Sequence, residues 1–282
     1  MERRDLAFTE VRLPVIGQGT WNMENDDADE AVSTLRAGFD AGMTHLDTAE
    51  LYGSGRVEER IVRRAIEGRR DELFLVSKVM PSNASRAGTI KACEQSLRRM
   101  GTDRLDLYLL HWPGSHPLED TLAAFVELRK AGKIRFFGVS NFDASDLEEA
   151  VAIVGEGQIA VNQILYNLEE RRIEHRAMPF CEAHGIAVVG YSPFGAGSFV
   201  SERSRGYGVL SAIAKARGAT PRQVALRFLV RKKNLFAIPK ASSLAHARDN
   251  AGAGAWELTP DEIRKIDEAF PRGPDRGGLP TN

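Results

Sequence analysis

Residues 105–140 read Leu-Asp-Leu-Tyr-Leu-Leu-His-Trp-Pro-Gly-Ser-His-Pro-Leu-Glu-Asp-Thr-Leu-Ala-Ala-Phe-Val-Glu-Leu-Arg-Lys-Ala-Gly-Lys-Ile-Arg-Phe-Phe-Gly-Val-Ser. The run Leu105–His111 is short and apolar, as a buried strand requires. Leu118, Leu122, Phe125 and Val126 then fall on one face of a helix. Gly132 supplies a residue without Cβ where that helix must end in a left-handed cap, and Ile134–Ser140 is a second strand. The stretch predicts strand, helix, glycine, strand.

The same unit recurs on both sides of it. Apolar strand-type runs occur at Val15–Gly19, Thr44–Thr48, Leu73–Val79, Ile159–Tyr166, Ala187–Ser192 and Leu235–Pro239, which with the two above makes eight. Glycines at 42, 101 and 185 also stand just before the next strand, and Leu147, Val151 and Val154 share a helix face. Near the C-terminus, Thr220-Pro221-Arg222-Gln223 and Thr259-Pro260-Asp261-Glu262 have the form of capping boxes and predict further helices.

Strict alternation of strands and helices implies a parallel sheet covered on both faces, and strand starts roughly 25–30 residues apart leave no room for an inserted domain. Two architectures satisfy this, a closed barrel and an open doubly wound sheet. The open sheet calls for G-x-G-x-x-G after its first strand, and Gly17-Gln18-Gly19-Thr20-Trp21 fits that poorly. The expectation is therefore one (β/α)8 barrel domain over residues 1–282, with 6–14 forming a hairpin beneath it and extra helices at the C-terminal end.

Composition narrows the function. Lys and Arg number 38 against 39 Asp and Glu, with no long basic block, so the chain carries no electrostatic footprint for nucleic acid. No window nears the length of a membrane span, the N-terminus lacks a signal-peptide core, and the two cysteines have no paired spacing. These features point to a cytoplasmic protein with a small-molecule partner, and the absence of a leftover apolar stripe points to a monomer.

In barrels of this type chemistry gathers at the C-terminal strand ends. The polar residues closing the apolar runs are Asp47, Lys78, His111, Ser140-Asn141, Tyr191-Ser192 and Lys240, with Gln163 inside the sixth run. Asp47, Lys78 and His111 end three consecutive strands, so their side chains can converge. A desolvated Lys78 tends to lose its proton unless Asp47 holds its charge. Tyr52 follows Asp47 on the same loop, within reach of Lys78, and an adjacent ammonium is expected to lower the phenol's pKa toward that of a useful proton donor. Each residue taken singly has an ordinary structural use; their joint position makes the set a candidate site. His45, Asp47 and His111 are also metal-ligand types, but the ammonium of Lys78 repels a cation and no H-E-x-x-H spacing occurs, so no metal is expected.

These residues resemble the aldo-keto reductases over essentially the whole chain. The resemblance rests on Gly17–Trp21, Asp47-Thr48-Ala49-Glu50-Leu51-Tyr52, Val76-Ser77-Lys78, Leu105–Pro113, Gly138-Val139-Ser140-Asn141-Phe142 and Ile238-Pro239-Lys240, in the family's order and near its spacing. It implies that Asp47, Tyr52, Lys78 and His111 form a catalytic tetrad, with NADPH bound first and Tyr52 protonating the substrate carbonyl. It further implies that Ser140, Asn141 and Gln163 hold the nicotinamide carboxamide, that Tyr191 stacks on the ring, and that the segment from Ser192-Pro193-Phe194 crosses the pyrophosphate, with Phe194 where leucine is more usual. Lys240 and Ser242 resemble the 2′-phosphate site, and Asp249 with Asn250 the adenine site. The family's phosphate-clamping arginine falls on His246, with Arg248 two residues on, which implies weaker discrimination against NADH. Trp21 and Trp112, with His111, correspond to the substrate pocket. The brevity of 114–117 and of the tail after Phe270 suggests an open pocket for small aldehydes or dicarbonyls of the methylglyoxal type.

Two other classes remain compatible with the same residues: a cofactor-binding regulatory barrel that turns over little, and a metal-dependent barrel hydrolase or isomerase.

Overall fold

The computed structural model describes residues 1–281. Two short strands, β1 (Arg3–Asp5) and β2 (Arg12–Pro14), pair antiparallel. Eight parallel strands follow: β3 (Gln18–Gly19), β4 (His45–Asp47), β5 (Phe74–Val79), β6 (Leu105–Leu110), β7 (Ile134–Ser140), β8 (Ile159–Leu165), β9 (Ala187–Tyr191) and β10 (Leu235–Ala237). They neighbour one another in chain order, and the bridge of Ile16 to Ala237, with hydrogen bonds from Gly17 N to Ala237 O and from Gly19 N to Pro239 O, joins the first to the last. The sheet is a closed (β/α)8 barrel.

The helices α1 (Ala28–Asp40), α2 (Arg63–Ile66), α3 (Arg86–Met100), α4 (Leu118–Lys130), α5 (Ala144–Val154) and α6 (Ala177–Ala183) each connect one strand to the next. Two helices, α7 (Arg205–Arg217) and α8 (Pro221–Leu229), link β9 to β10, and α9 (Leu244–Gly252) and α10 (Pro260–Ala269) follow β10. The expected capping boxes open α8 and α10. Gly101 caps α3 with a φ of 65°, and Gly132 takes a φ of 71°, both in the left-handed region that the sequence reserved for glycine.

All eight expected strands form. The first is shorter than expected: only Gln18 and Gly19 of 15–19 pair with β4, while Val15 and Ile16 serve the seam with β10. The hairpin starts earlier than 6–14, pairing from Arg3, because Leu6 and Leu13 are drawn into the barrel. Both are at most 2% exposed and pack with Phe74, Val76 and Leu107, so the hairpin plugs the lower end. Burying each such side chain stabilises the fold by roughly 1.5–3 kcal/mol.

Period-2 alternation sorts each strand into an inward and an outward set. Phe74 and Val76, Leu107 and Leu109, Ala187 and Val189, and Phe236 with Ile238 form the inner core; Leu75, Tyr108, Val139, Val188 and Leu235 face the helices. Gly138 is the inward residue of β7 where a Cβ would lie 2.3 Å from the Val161 carbonyl, so no larger residue fits there.

Candidate active site

Continuing each inward series by two residues reaches the rim and names the site. Phe74 and Val76 lead to Lys78, Leu107 and Leu109 to His111, Ala187 and Val189 to Tyr191, and Phe236 and Ile238 to Lys240. His45 leads to Asp47, Val161 to Gln163, and Gly138 to Ser140 by the same count. A strand that buries apolar residues every second position thus delivers its next inward residue to the mouth of the barrel.

The mouth opens into one cleft of about 830 Å³, within the usual size of a cofactor site. Among the expected site residues, all but Lys78 line it. Lys78 is fully buried behind the lining, where its Nζ donates to Asp47 Oδ1 at 2.6 Å, to the Thr48 carbonyl at 2.9 Å and to the Tyr52 hydroxyl at 3.3 Å. Thr20 Oγ1 donates to the Asp47 carbonyl, anchoring β4 to the loop after β3.

Tyr52 opens a tight turn, Tyr52–Gly55, in which Gly53 and Ser54 both take a φ of 55°. A non-glycine residue in that region is strained and persists only when its surroundings fix it. The Tyr52 ring meets His111 edge-on, with centroids 5.9 Å apart, and His111 in turn leans on Trp112 at 4.7 Å.

The charges in this corner differ in one respect from the sequence expectation. Burial lifts the Tyr52 phenol above its ordinary value, and the Lys78 ammonium pulls it back only in part, so the expected lowering does not occur. Desolvation of a nearly enclosed phenolate outweighs one neighbouring cation. Lys78 behaves as expected: burial works against its charge, but Asp47 and the Tyr52 oxygen hold its pKa above the usual lysine value. His111 is pushed down to about 2 by burial and by Lys78, and is neutral.

Beyond the corner the cleft changes character along its length. Asn141, held at a φ of 60°, donates to the His111 carbonyl and accepts the Tyr191 hydroxyl at 2.8 Å. Gln163 lines the cleft, but its Nε2 donates to Asp47 Oδ2 at 2.7 Å, a contact that the sequence did not reveal. Ser192 follows with a φ of 48°, turning the 192–197 segment along the cleft.

At the far end Lys240 and Ser242 precede α9, and His246, Asp249 and Asn250 line the cleft from along that helix. Lys240 Nζ is paired with Asp26 at 2.7 Å, and Asp249 accepts from Thr220 and Gln223. Arg222 lines this end while Arg248 does not. The sequence places Arg222 only in a capping box, and no local signal marks it as a cleft residue.

The tail also departs from expectation. Although short, it folds back so that Thr281 joins the lining of the cleft, tied on the way by His175 to Gly273 O and Arg176 to Asp275. Leu51 and Asn22 are further lining residues beside Trp21 that the sequence reading did not single out. Among the described residues no three His, Cys, Asp or Glu side chains gather where a metal could be held, and no helix is long and apolar enough to cross a membrane.

The donor set suits a dinucleotide: amide groups and a flat phenol at the end near Tyr52 and Lys78, cations and a helix start at the other. Residues 15–270 match the model of the Aldo/keto reductase family. The chain is 42% identical over 274 residues to methylglyoxal reductase YeaE of Escherichia coli (strain K12), covering 96% of each. An aldo/keto reductase from Klebsiella pneumoniae, solved in complex with NADP and acetate, superposes with a TM-score of 0.92 at 38% identity over all of both chains. A second Klebsiella pneumoniae aldo-keto reductase structure, in complex with NADPH, gives 0.92 at 39%, again over the full length of both. With the barrel and its cleft, these matches establish that the chain belongs to the aldo/keto reductase family and is an oxidoreductase.

Proposed function

We propose that the chain reduces small aldehydes and α-dicarbonyls such as methylglyoxal with NADPH, using Tyr52 as the proton donor. The observation that carries this reading is the buried ammonium of Lys78 lying 2.6 Å from Asp47 and 3.3 Å from the Tyr52 hydroxyl at the head of the cleft. The 42% identity to a methylglyoxal reductase supports the substrate class, and the NADP-bound and NADPH-bound relatives support the cofactor.

When bound, NADPH supplies the hydride. The chain contributes the rest. Tyr52, its pKa raised, is protonated at neutral pH and donates its hydroxyl proton to the carbonyl oxygen. The phenolate left behind lies against the Lys78 ammonium, which Asp47 and the Thr48 carbonyl hold in place. His111, being neutral, orients the carbonyl oxygen by a hydrogen bond without adding a second charge. Asn141 and the Oε1 of Gln163 receive the carboxamide, Ser140 supports Asn141 from 3.2 Å, and Tyr191 offers its face. Lys240, Ser242 and the start of α9 receive the adenosine phosphate, and Asn250 with Asp249 the base. Trp21, Leu51 and Trp112 give the carbonyl compound an apolar wall.

In this reading residues 1–282 act as one domain, supported by the uninterrupted alternation of strand and helix. A monomer is supported by the scarcity of exposed large apolar side chains, of which Trp21 and Leu51 already belong to the cleft. A reducing cytoplasm suits the two buried, unbridged cysteines, Cys93 and Cys181.

NADPH oxidation in the presence of methylglyoxal, followed by near-ultraviolet absorbance for wild type and Tyr52→Phe, tests the assignment. The variant is expected to lose ~10²–10⁴-fold in kcat while binding NADPH normally. Equal oxidation by both proteins rejects Tyr52 as the acid; NADPH binding with no turnover by wild type favours a regulatory barrel.

A further inference from the structure

We infer that Arg222 is the specificity-determining guanidinium for the cofactor's 2′-phosphate, supplied from α8 in place of an arginine on α9. The inference rests on the NADPH reading above.

Four observations lead to it. Position 246 holds a histidine, and Arg248, the nearest arginine on α9, does not line the cleft. Lys240 is not an uncommitted cation, since Asp26 sits 2.7 Å from its Nζ, and a phosphate dianion at that end needs further positive charge. Arg222 does line the cleft, and its chain neighbours Thr220 and Gln223 both bond Asp249, a lining residue on α9.

The fourth concerns how Arg222 is held. Its guanidinium carbon stands 4.8 Å from the Phe194 ring centroid and 4.6 Å from that of Phe199, and those two rings meet at 88°. The cation is thus seated against two perpendicular rings, neither of which offers a hydrogen-bond acceptor to its N–H groups. Among the described residues no carboxylate pairs with it. Asp249, the acid nearest in the cleft lining, is turned toward Thr220 and Gln223 instead. The phenylalanine at 194 therefore has a use of its own: it holds a guanidinium beside the phosphate path.

Dissociation constants measured by calorimetry for NADPH, NADH, 2′,5′-ADP and 5′-ADP, on wild type, Arg222→Lys and Arg222→Ala, test this. Arg222→Ala is expected to weaken NADPH and 2′,5′-ADP roughly tenfold or more, leaving NADH and 5′-ADP within about twofold, with Arg222→Lys between. The wild-type affinity for 2′,5′-ADP is expected to fall more steeply with salt than that of Arg222→Ala. Equal weakening of NADPH and NADH overturns the inference, because it assigns Arg222 to tethering the Phe194 loop. An unchanged NADPH-to-NADH ratio overturns it as well. Failure of wild type to bind either 2′-phosphorylated ligand rejects the cofactor reading itself, and the inference with it.

Discussion

Gln163 on β8 and Asp47 on β4, on opposite sides of the barrel, are joined by a 2.7 Å hydrogen bond from Nε2 to Oδ2. The Asp47 carboxylate therefore has one oxygen on Lys78 and the other on Gln163, and both partners are almost wholly buried. This bond sets the direction in which the carboxylate addresses the ammonium.

Replacing Gln163 by leucine leaves a buried carboxylate oxygen without its donor. Urea unfolding is expected to register a loss of about 1–3 kcal/mol. If the stability is unchanged, Asp47 does not depend on this contact.

Lys78→Met removes the ammonium and strands the Asp47 charge inside the barrel, which is expected to cost about 3–5 kcal/mol. The double variant Asp47→Asn/Lys78→Met removes both charges and is expected to recover most of that loss while remaining inactive. Recovery of stability without recovery of kcat separates the pair's structural part from its part in the chemistry.

A neutral His111 and a protonated Tyr52 make a specific pH profile. With His111 pushed down to about 2, no imidazole titration lies near neutrality, so kcat/KM for reduction is expected to be flat from mildly acidic to mildly alkaline pH. The fall comes only at high pH, where the phenol, raised above its ordinary value of 10.0, begins to lose its proton. An acid limb centred on an ordinary histidine pKa, removed by His111→Gln, overturns this.

His45, one layer below Asp47, is fully buried and both its ring nitrogens lack a hydrogen-bond partner. Its pKa is pushed from 6.5 down to about 4, chiefly by burial. As pH falls the unfolded chain takes up this proton first, so the native state loses stability between pH 6.5 and 4, by about 3 kcal/mol at the lower end. The stability of wild type relative to His45→Leu is expected to fall by about 3 kcal/mol across that window, the variant having the shallower slope.

The barrel was legible in the sequence because short apolar runs and terminal glycines are local signals. The rim residues were legible for the same reason: Lys78, His111 and Tyr191 each close a local apolar run. What did not show is whatever depends on distance through space. The bond of Gln163 to Asp47, the pairing of Lys240 with Asp26 and the seat of Arg222 on Phe194 and Phe199 each join residues far apart in the chain. The direction of the Tyr52 shift failed in the same way. The neighbouring cation could be read from spacing, but the degree of enclosure that outweighs it comes only from the packed barrel.

The seam between Ile16 and Ala237 imposes an order on assembly. Asp47, Tyr52, Lys78 and His111 come from three successive strands and the loop that follows the first, so their corner is assembled from chain segments made early and close together. Lys240 lies beyond the last strand, and Gly19 reaches its neighbour Pro239 only once the ring has shut. During synthesis, the residues of the adenosine half leave the ribosome after those of the proton-donating corner, and the ring that holds both can close only once β10 has been made.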